Sequence, residues 1–213
     1  MIRKLAPLAS AAWRGAIVLF TIEIAIVSAL RYFTGSQPPP PPILANGFAH
    51  PFLLLHVASG VTALLVAPLQ FVGRGLARPG FHRLTGRVYL LACALGAPSG
   101  FMLALGSTAG PVTQIGFAIP ALLWAAFTWL GWRAVVERRF AAHRDWMLRS
   151  YAITATGITL RLMLPASALL GFDFLPAYRV ISWLAWTTNL ALFEYVIRRV
   201  RTAATGGLAL AAA

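Results

Sequence analysis

Six stretches of the chain are apolar for about twenty residues each, at roughly 14–34, 50–72, 86–105, 112–132, 148–170 and 179–198. They are apolar on all sides, not along one stripe. A helix needs about 20 mostly apolar residues to cross a bilayer. Lipid offers no hydrogen bonds to the backbone, so a chain that crosses it forms either a helical bundle or a closed barrel. Stretches this long predict helices and not the short alternating strands of a barrel. The expected fold is all-α, a polytopic membrane protein. It is a bundle of six transmembrane helices forming a single transmembrane helical domain over 1–213.

Composition agrees: 59% of residues are hydrophobic and 11% charged, against about 25% charged in soluble domains. This leaves no room for a second, soluble domain. The net charge of +13 would point to nucleic acid in a soluble protein. Here the arginines sort by side. Arg3, Lys4 and Arg14 precede the first stretch. Arg74, Arg78, Arg83 and Arg87 lie between the second and third. Arg133, Arg138, Arg139, Arg144 and Arg149 surround the link between the fourth and fifth, and Arg198, Arg199 and Arg201 follow the sixth. The opposite links, 35–49 and 106–111, carry no charge, and 171–178 carries only Asp173. Basic residues stay on the cytoplasmic side, so both termini are expected to be cytoplasmic. The expected location is a cell membrane, bacterial inner membrane in type, with the lipid bilayer as partner and no nucleic acid. The first stretch is too long for a signal peptide and contains Glu23, so it reads as a retained anchor. The single cysteine, Cys93, excludes an intramolecular disulfide.

Residues 1–13 are expected to form a cytoplasmic N-terminus, 35–49 a Pro-rich outer loop and 202–213 a loose, low-complexity tail. Five consecutive prolines in the outer loop favour polyproline II. Pro68, Pro98, Pro120 and Pro165 fall within or near spans, where kinks are expected. Gly96 and Gly100 thin the third span for close helix contact, and Gly60 is given the same packing role. Spans two–three and four–five share a plan of helix, basic link, His-Arg, helix, a weak internal repeat.

Some polar residues are not needed for topology. His56 lies inside the second span, and ionisable groups within a membrane are functional candidates by default. His50, six residues earlier, is about 120° away around the helix, so the two do not form a metal clip. Glu23 and Arg161 are intramembrane charges at similar depth and are expected to pair. At the cytoplasmic face, His82 and His143 each open a span. Gln70 closes the second span at the same face, and Arg83, Arg87, Arg144 and Arg149 lie nearby. Two histidines on two helices suit a haem iron. They also suit a metal, which would want a third ligand. Arginines suit propionates, phosphates or lipid headgroups. The structural alternative is that the histidines cap loops and the arginines only set topology. No phosphate loop, nucleophile elbow, HExxH or CxxC is present, and five acidic residues are too few for a paired-carboxylate hydrolase.

The blocks "HVASGVTALLVAPLQ" (56–70), "HRLTGRVY" (82–89) and "HRDWMLRSYA" (143–152), with Arg161, resemble the family called domain of unknown function 2306, predicted multi-spanning bacterial membrane proteins. The resemblance marks His56, Gln70, His82, Arg83, Arg87, His143, Trp146, Met147, Arg149 and Arg161, and implies no activity. Where the family has glycine before the Pro-Leu-Gln ending, this chain has Ala67. The architecture is also similar to small haem-b electron-transfer bundles. The first functional expectation is therefore a redox protein with one haem b, or a quinone partner. Its competitors are a small-molecule or ion transporter using Glu23, His56 and Arg161, and a non-enzymatic membrane assembly partner.

Overall fold

The computed structural model describes residues 19, 21–28, 30–32, 34, 41–71 and 78–211. All regular structure among them is helical. A short helix α1 (Pro41–Leu44) leads into α2 (Ala49–Phe71), α3 (Pro79–Leu105), α4 (Pro111–Val136), α5 (Phe140–Thr154), α6 (Thr156–Leu169) and α7 (Phe174–Ala211). Among the described residues five spans are long and apolar enough to cross a membrane, with α5 and α6 together making one of them. The protein is thus an all-α polytopic membrane protein. The first stretch is helical at 19, 21–28 and 30–32. Apart from Thr34, the other residues of that stretch lie outside the described residues, as do Arg3, Lys4, Arg14, Arg74 and the N-terminal 1–13.

Helix ends differ from the apolar stretches in one direction. α3 starts at Pro79 and not near 86, and α5 at Phe140 and not near 148. Apolarity marks the lipid-covered part, whereas a helix continues into the interface, where water and caps serve its open ends. Proline at the first helical position of α3 and α4 helps, because its missing N–H would be unpaired there anyway.

Two expectations are corrected, and one break is found that no proline announces. α7 runs to Ala211, into the tail expected to be loose, because its Ala and Leu residues favour helix strongly. Pro41 and Pro42 belong to the helical turn α1, not to polyproline II; proline's fixed φ suits both. The internal prolines lie within helices that run through them, while the fifth span breaks at Ala155, where no proline occurs. Its sequence is Thr154-Ala155-Thr156-Gly157. The Thr154 hydroxyl donates to the Ser150 carbonyl at 3.1 Å, and β-branched residues with a nearby glycine weaken helix continuity.

α2 packs on α3, α3 on α4 and α4 on α5, while α7 lies against α4, α5 and α6. The core joins small residues to large aromatics: Ala63, Ala67, Ala92, Cys93 and Ala97 against Tyr89, Trp124, Ile153 and Trp186. Small residues let helices approach where lipid supplies no hydrophobic drive. Trp183 and Trp186 donate their indole N–H groups to the carbonyls of Val112 and Gly116, each at 3.0 Å, and so fix α7 to α4.

Candidate functional site

His82 and His143 are each the fourth residue of their helix, and their backbone N–H groups bond the carbonyls of Arg78 and Arg139 at 3.0 and 2.9 Å. Seven residues further on stand Tyr89 and Ser150. Their hydroxyls are 2.9 Å apart, and the Tyr89 hydroxyl also lies 2.7 Å from that of Thr154. Thr128 on α4 completes this buried network, its hydroxyl 2.7 Å from that of Ser150. Seven residues are two turns less about 20°. Since Tyr89 and Ser150 meet, and α3 and α5 run in the same direction, the two histidines stand at the same level of their helices. α3 and α5 are not packed side by side there; the long Tyr89 side chain spans the space between them. His82 and His143 lie within electrostatic reach of each other.

The rings are held differently. His143 Nδ1–H donates to the Gly131 carbonyl at 2.8 Å. This sets the tautomer and leaves Nε2 as the acceptor, the usual second support of a ligating histidine. His82 Nδ1 is buried with no hydrogen-bond partner among the described residues. Next to it, the Gln70 side-chain amide donates to the Thr85 hydroxyl, which itself bonds the Phe81 carbonyl at 2.8 Å. Gln70 thus ties the inner end of α2 to the first turns of α3.

The arginines divide. Arg149 forms a two-point ion pair with Glu194 of α7, its second bond at 3.1 Å, and its guanidinium lies 4.7 Å over the Trp146 ring. Trp146 in turn stacks on Phe127. The sequence offers Arg149 as a candidate cofactor residue and the resemblance marks Trp146; in the structure Arg149 and Glu194 join α5 to α7. Glu194 is the partner the sequence reading missed; its place at the inner end of the last span, level with Arg149, was the available signal. Buried Asp145 takes bonds from Arg144 at 3.0 Å and Arg201 at 2.6 Å. Arg83 is exposed and bonds its own helix at the Pro79 carbonyl, 3.2 Å away, and Arg87 is also exposed. In the link after α4, bonds from Arg133 and then Arg139 hold the Glu137 carboxyl below its usual range.

In the outer half, His56 Nδ1–H donates to the Gly96 carbonyl at 2.9 Å. A Cβ on Gly100 would stand 2.8 Å from the imidazole, so glycine there admits the ring. Gly60 is a correction: among the described residues nothing lies within 4 Å of where its Cβ would be. α2 packs on α3 through Ser59, and Gly60 is turned about 100° away. The expected Glu23–Arg161 pair is also corrected. Glu23 is exposed on the first stretch, while Arg161 bonds the Gly157 carbonyl at 2.9 Å and lies in the field of Tyr32 and Arg31. Similar depth did not give a shared azimuth.

Among the described residues no three His, Cys, Asp or Glu side chains come together as a metal would require, so His82 and His143 lack the third ligand of a zinc-type site. The hydroxyl network gives a direct test. Tyr89→Phe removes the hydroxyl that joins Ser150 and Thr154, which keep their bonds to Thr128 and to the Ser150 carbonyl, and is expected to lower stability by about 1 kcal/mol, read as a fall in melting temperature in detergent.

Residues 53–197 match the family model described as "Predicted membrane protein (DUF2306)". The chain belongs to this family. The DUF2306 match runs from α2 into α7 and takes in His56, His82, His143 and Arg161 together with Glu194. No curated protein and no solved structure matches this DUF2306 chain.

Proposed function

We propose that this integral membrane protein is an electron-transfer protein that holds one haem b at its inner end, with His82 and His143 as axial ligands. The reading is carried by the shared register. Each histidine stands seven residues before one member of the Tyr89–Ser150 contact, across a gap between helices that do not pack directly. Two axial imidazoles need ligating nitrogens about 4 Å apart through the iron. His143 offers Nε2 with its other nitrogen already anchored. Arg83 and Arg87 at the exposed end of α3 suit propionates leaving the gap toward water. Bound there, the haem would pass single electrons between carriers at the inner membrane surface.

The test is the absorption spectrum of protein purified after expression with supplied haem precursor. A Soret band that sharpens on reduction is expected, lost in His82→Ala and in His143→Ala and kept in His50→Ala. A colourless parent, or unchanged spectra in both variants, would remove the haem and leave the two histidines as interface packing groups.

A further inference from the structure

Arg161 is the one deep charge of the fifth span, and its guanidinium turns the wrong way for snorkelling. Its carbon backbone lies on the outer side of the bilayer centre, yet NH1 reaches back to the Gly157 carbonyl, deeper in the membrane. From the midpoint of the Phe140–Leu169 span, Gly157 is about 4 Å outward, at 1.5 Å per residue. On the same count His56 is about 5 Å outward from the midpoint of Ala49–Gln70. The two groups are thus level, and His56 lies in the field of Arg161. α6 faces α2 here: a Cβ on Gly157 would meet Arg161 NH1 at 3.4 Å and Leu64 Cδ1 at 3.7 Å. His56, Gly60 and Leu64 follow at four-residue steps along one face of α2. Leu64 stands beside Gly157 of α6, His56 lies near the charge, and between them Gly60 meets nothing among the described residues.

The charge in this notch has no carboxylate. All five acidic side chains of the protein are accounted for elsewhere. Glu137 bonds Arg133 and Arg139, Asp145 bonds Arg144 and Arg201, and Glu194 bonds Arg149. Glu23 is exposed on the first stretch, and Asp173 is exposed in the link before α7. Arg161 uses one of its five N–H donors on Gly157, and Arg31 adds positive field instead of cancelling it. A cation at this depth is costly unless compensated.

We propose that the notch between α2 and α6 binds an organic carboxylate carried on an apolar body, of the fatty-acid kind, with its oxyanion on Arg161 beside His56 and its hydrocarbon over Gly60. The depth selects this class. Phospholipid phosphates lie at the edge of a core about 30 Å thick, some 10 Å further out, whereas a carboxylate on a flexible apolar chain reaches Arg161 from the lipid side. The proposal is independent of the haem at the inner end.

The test is calorimetric titration of the full-length protein in maltoside micelles with decanoate. One saturable site is expected. Arg161→Gln should weaken it by about tenfold or more, the loss of a charge-assisted contact. Gly60→Leu should fill the notch and block binding, with melting and any haem spectrum as the controls for folding; a Cβ at this position meets nothing among the described residues. This second variant keeps the test decisive if Arg161→Gln misfolds. Decanol, with the same tail and no oxyanion, should not compete. No saturable binding, equal binding by Gly60→Leu, or effective competition by decanol would overturn the proposal. Tighter binding of dioctanoyl phosphatidate at the same site would also overturn it, in favour of a lipid headgroup.

Discussion

Glu194→Ala is expected to cost about 3 kcal/mol of stability, because it strands Arg149 between α5 and α7. The pair is mostly shielded, with 16% of the Arg149 side chain and 29% of the Glu194 side chain exposed. Little solvent screening therefore reduces the effect. Arg149 also lies over Trp146, which holds the guanidinium in place after its anion has gone. A double-mutant cycle with Arg149→Met and Glu194→Leu, read by reversible unfolding in mixed micelles, should show strong coupling. The double variant should lose less than either single one, since two apolar groups of similar size leave no buried charge. Additive losses would show that the pair contributes little and that α7 is held by its other bonds, those of Trp183, Trp186 and Arg201 among them.

Gly96→Ala should be as severe. Gly96 sits where α2, α3 and α4 converge, and a Cβ there would stand 2.7 Å from Trp124 Cζ3 and 3.1 Å from Ser59 Cβ. The indole is buried and stacked among core residues, so it has no free direction in which to move. A loss of about 3 kcal/mol is expected, at the upper end of ordinary overpacking. It should be partly recovered by Trp124→Phe, which removes the ring atoms that clash. The same methyl group at Gly60 meets nothing and should leave the melting temperature within about a degree or two of the parent, an effect of a few tenths of a kcal/mol. A tolerated Gly96→Ala would mean that α3 and α4 slide apart easily at this level.

The bundle was legible because lipid imposes one rule on every span: about twenty apolar residues, internally bonded. Arg133, Arg138 and Arg139 stood out for the same reason, since only links on one side carry such clusters. What lipid does not dictate was harder to read. The break at Ala155 follows from competition between the Thr154 hydroxyl and the helix ladder, with no proline to announce it. The partner of Arg149 lies forty-five residues away, and depth alone matched Arg161 with Glu23 although their helices turn them to different sides. The spacing from His82 to Tyr89 and from His143 to Ser150 was present in the sequence from the start. It became informative only once the two hydroxyls were seen to touch, because equal offsets on two helices mean nothing until one pair of positions is known to meet.

The link between α4 and α5 has only three residues, Glu137, Arg138 and Arg139, and the backbone N–H of each bonds a carbonyl of α4. Arg139 N–H reaches the Ala134 carbonyl at 2.8 Å, the Arg133 Nε–H reaches Glu137 at 2.7 Å, and Arg138 takes a left-handed turn at φ 58°. The link therefore works as a phase lock between two screws. One residue added here would advance α5 by about 100° and 1.5 Å, carrying His143 out of line with His82 and Ser150 out of line with Tyr89 in a single step. The outer link before Pro111 leads into α4, whose place is already fixed by the tryptophan bonds of α7, so length added there is absorbed with less change of phase. Drift in chain length is therefore expected to collect on the uncharged face of the molecule, and the basic face keeps time for both histidines.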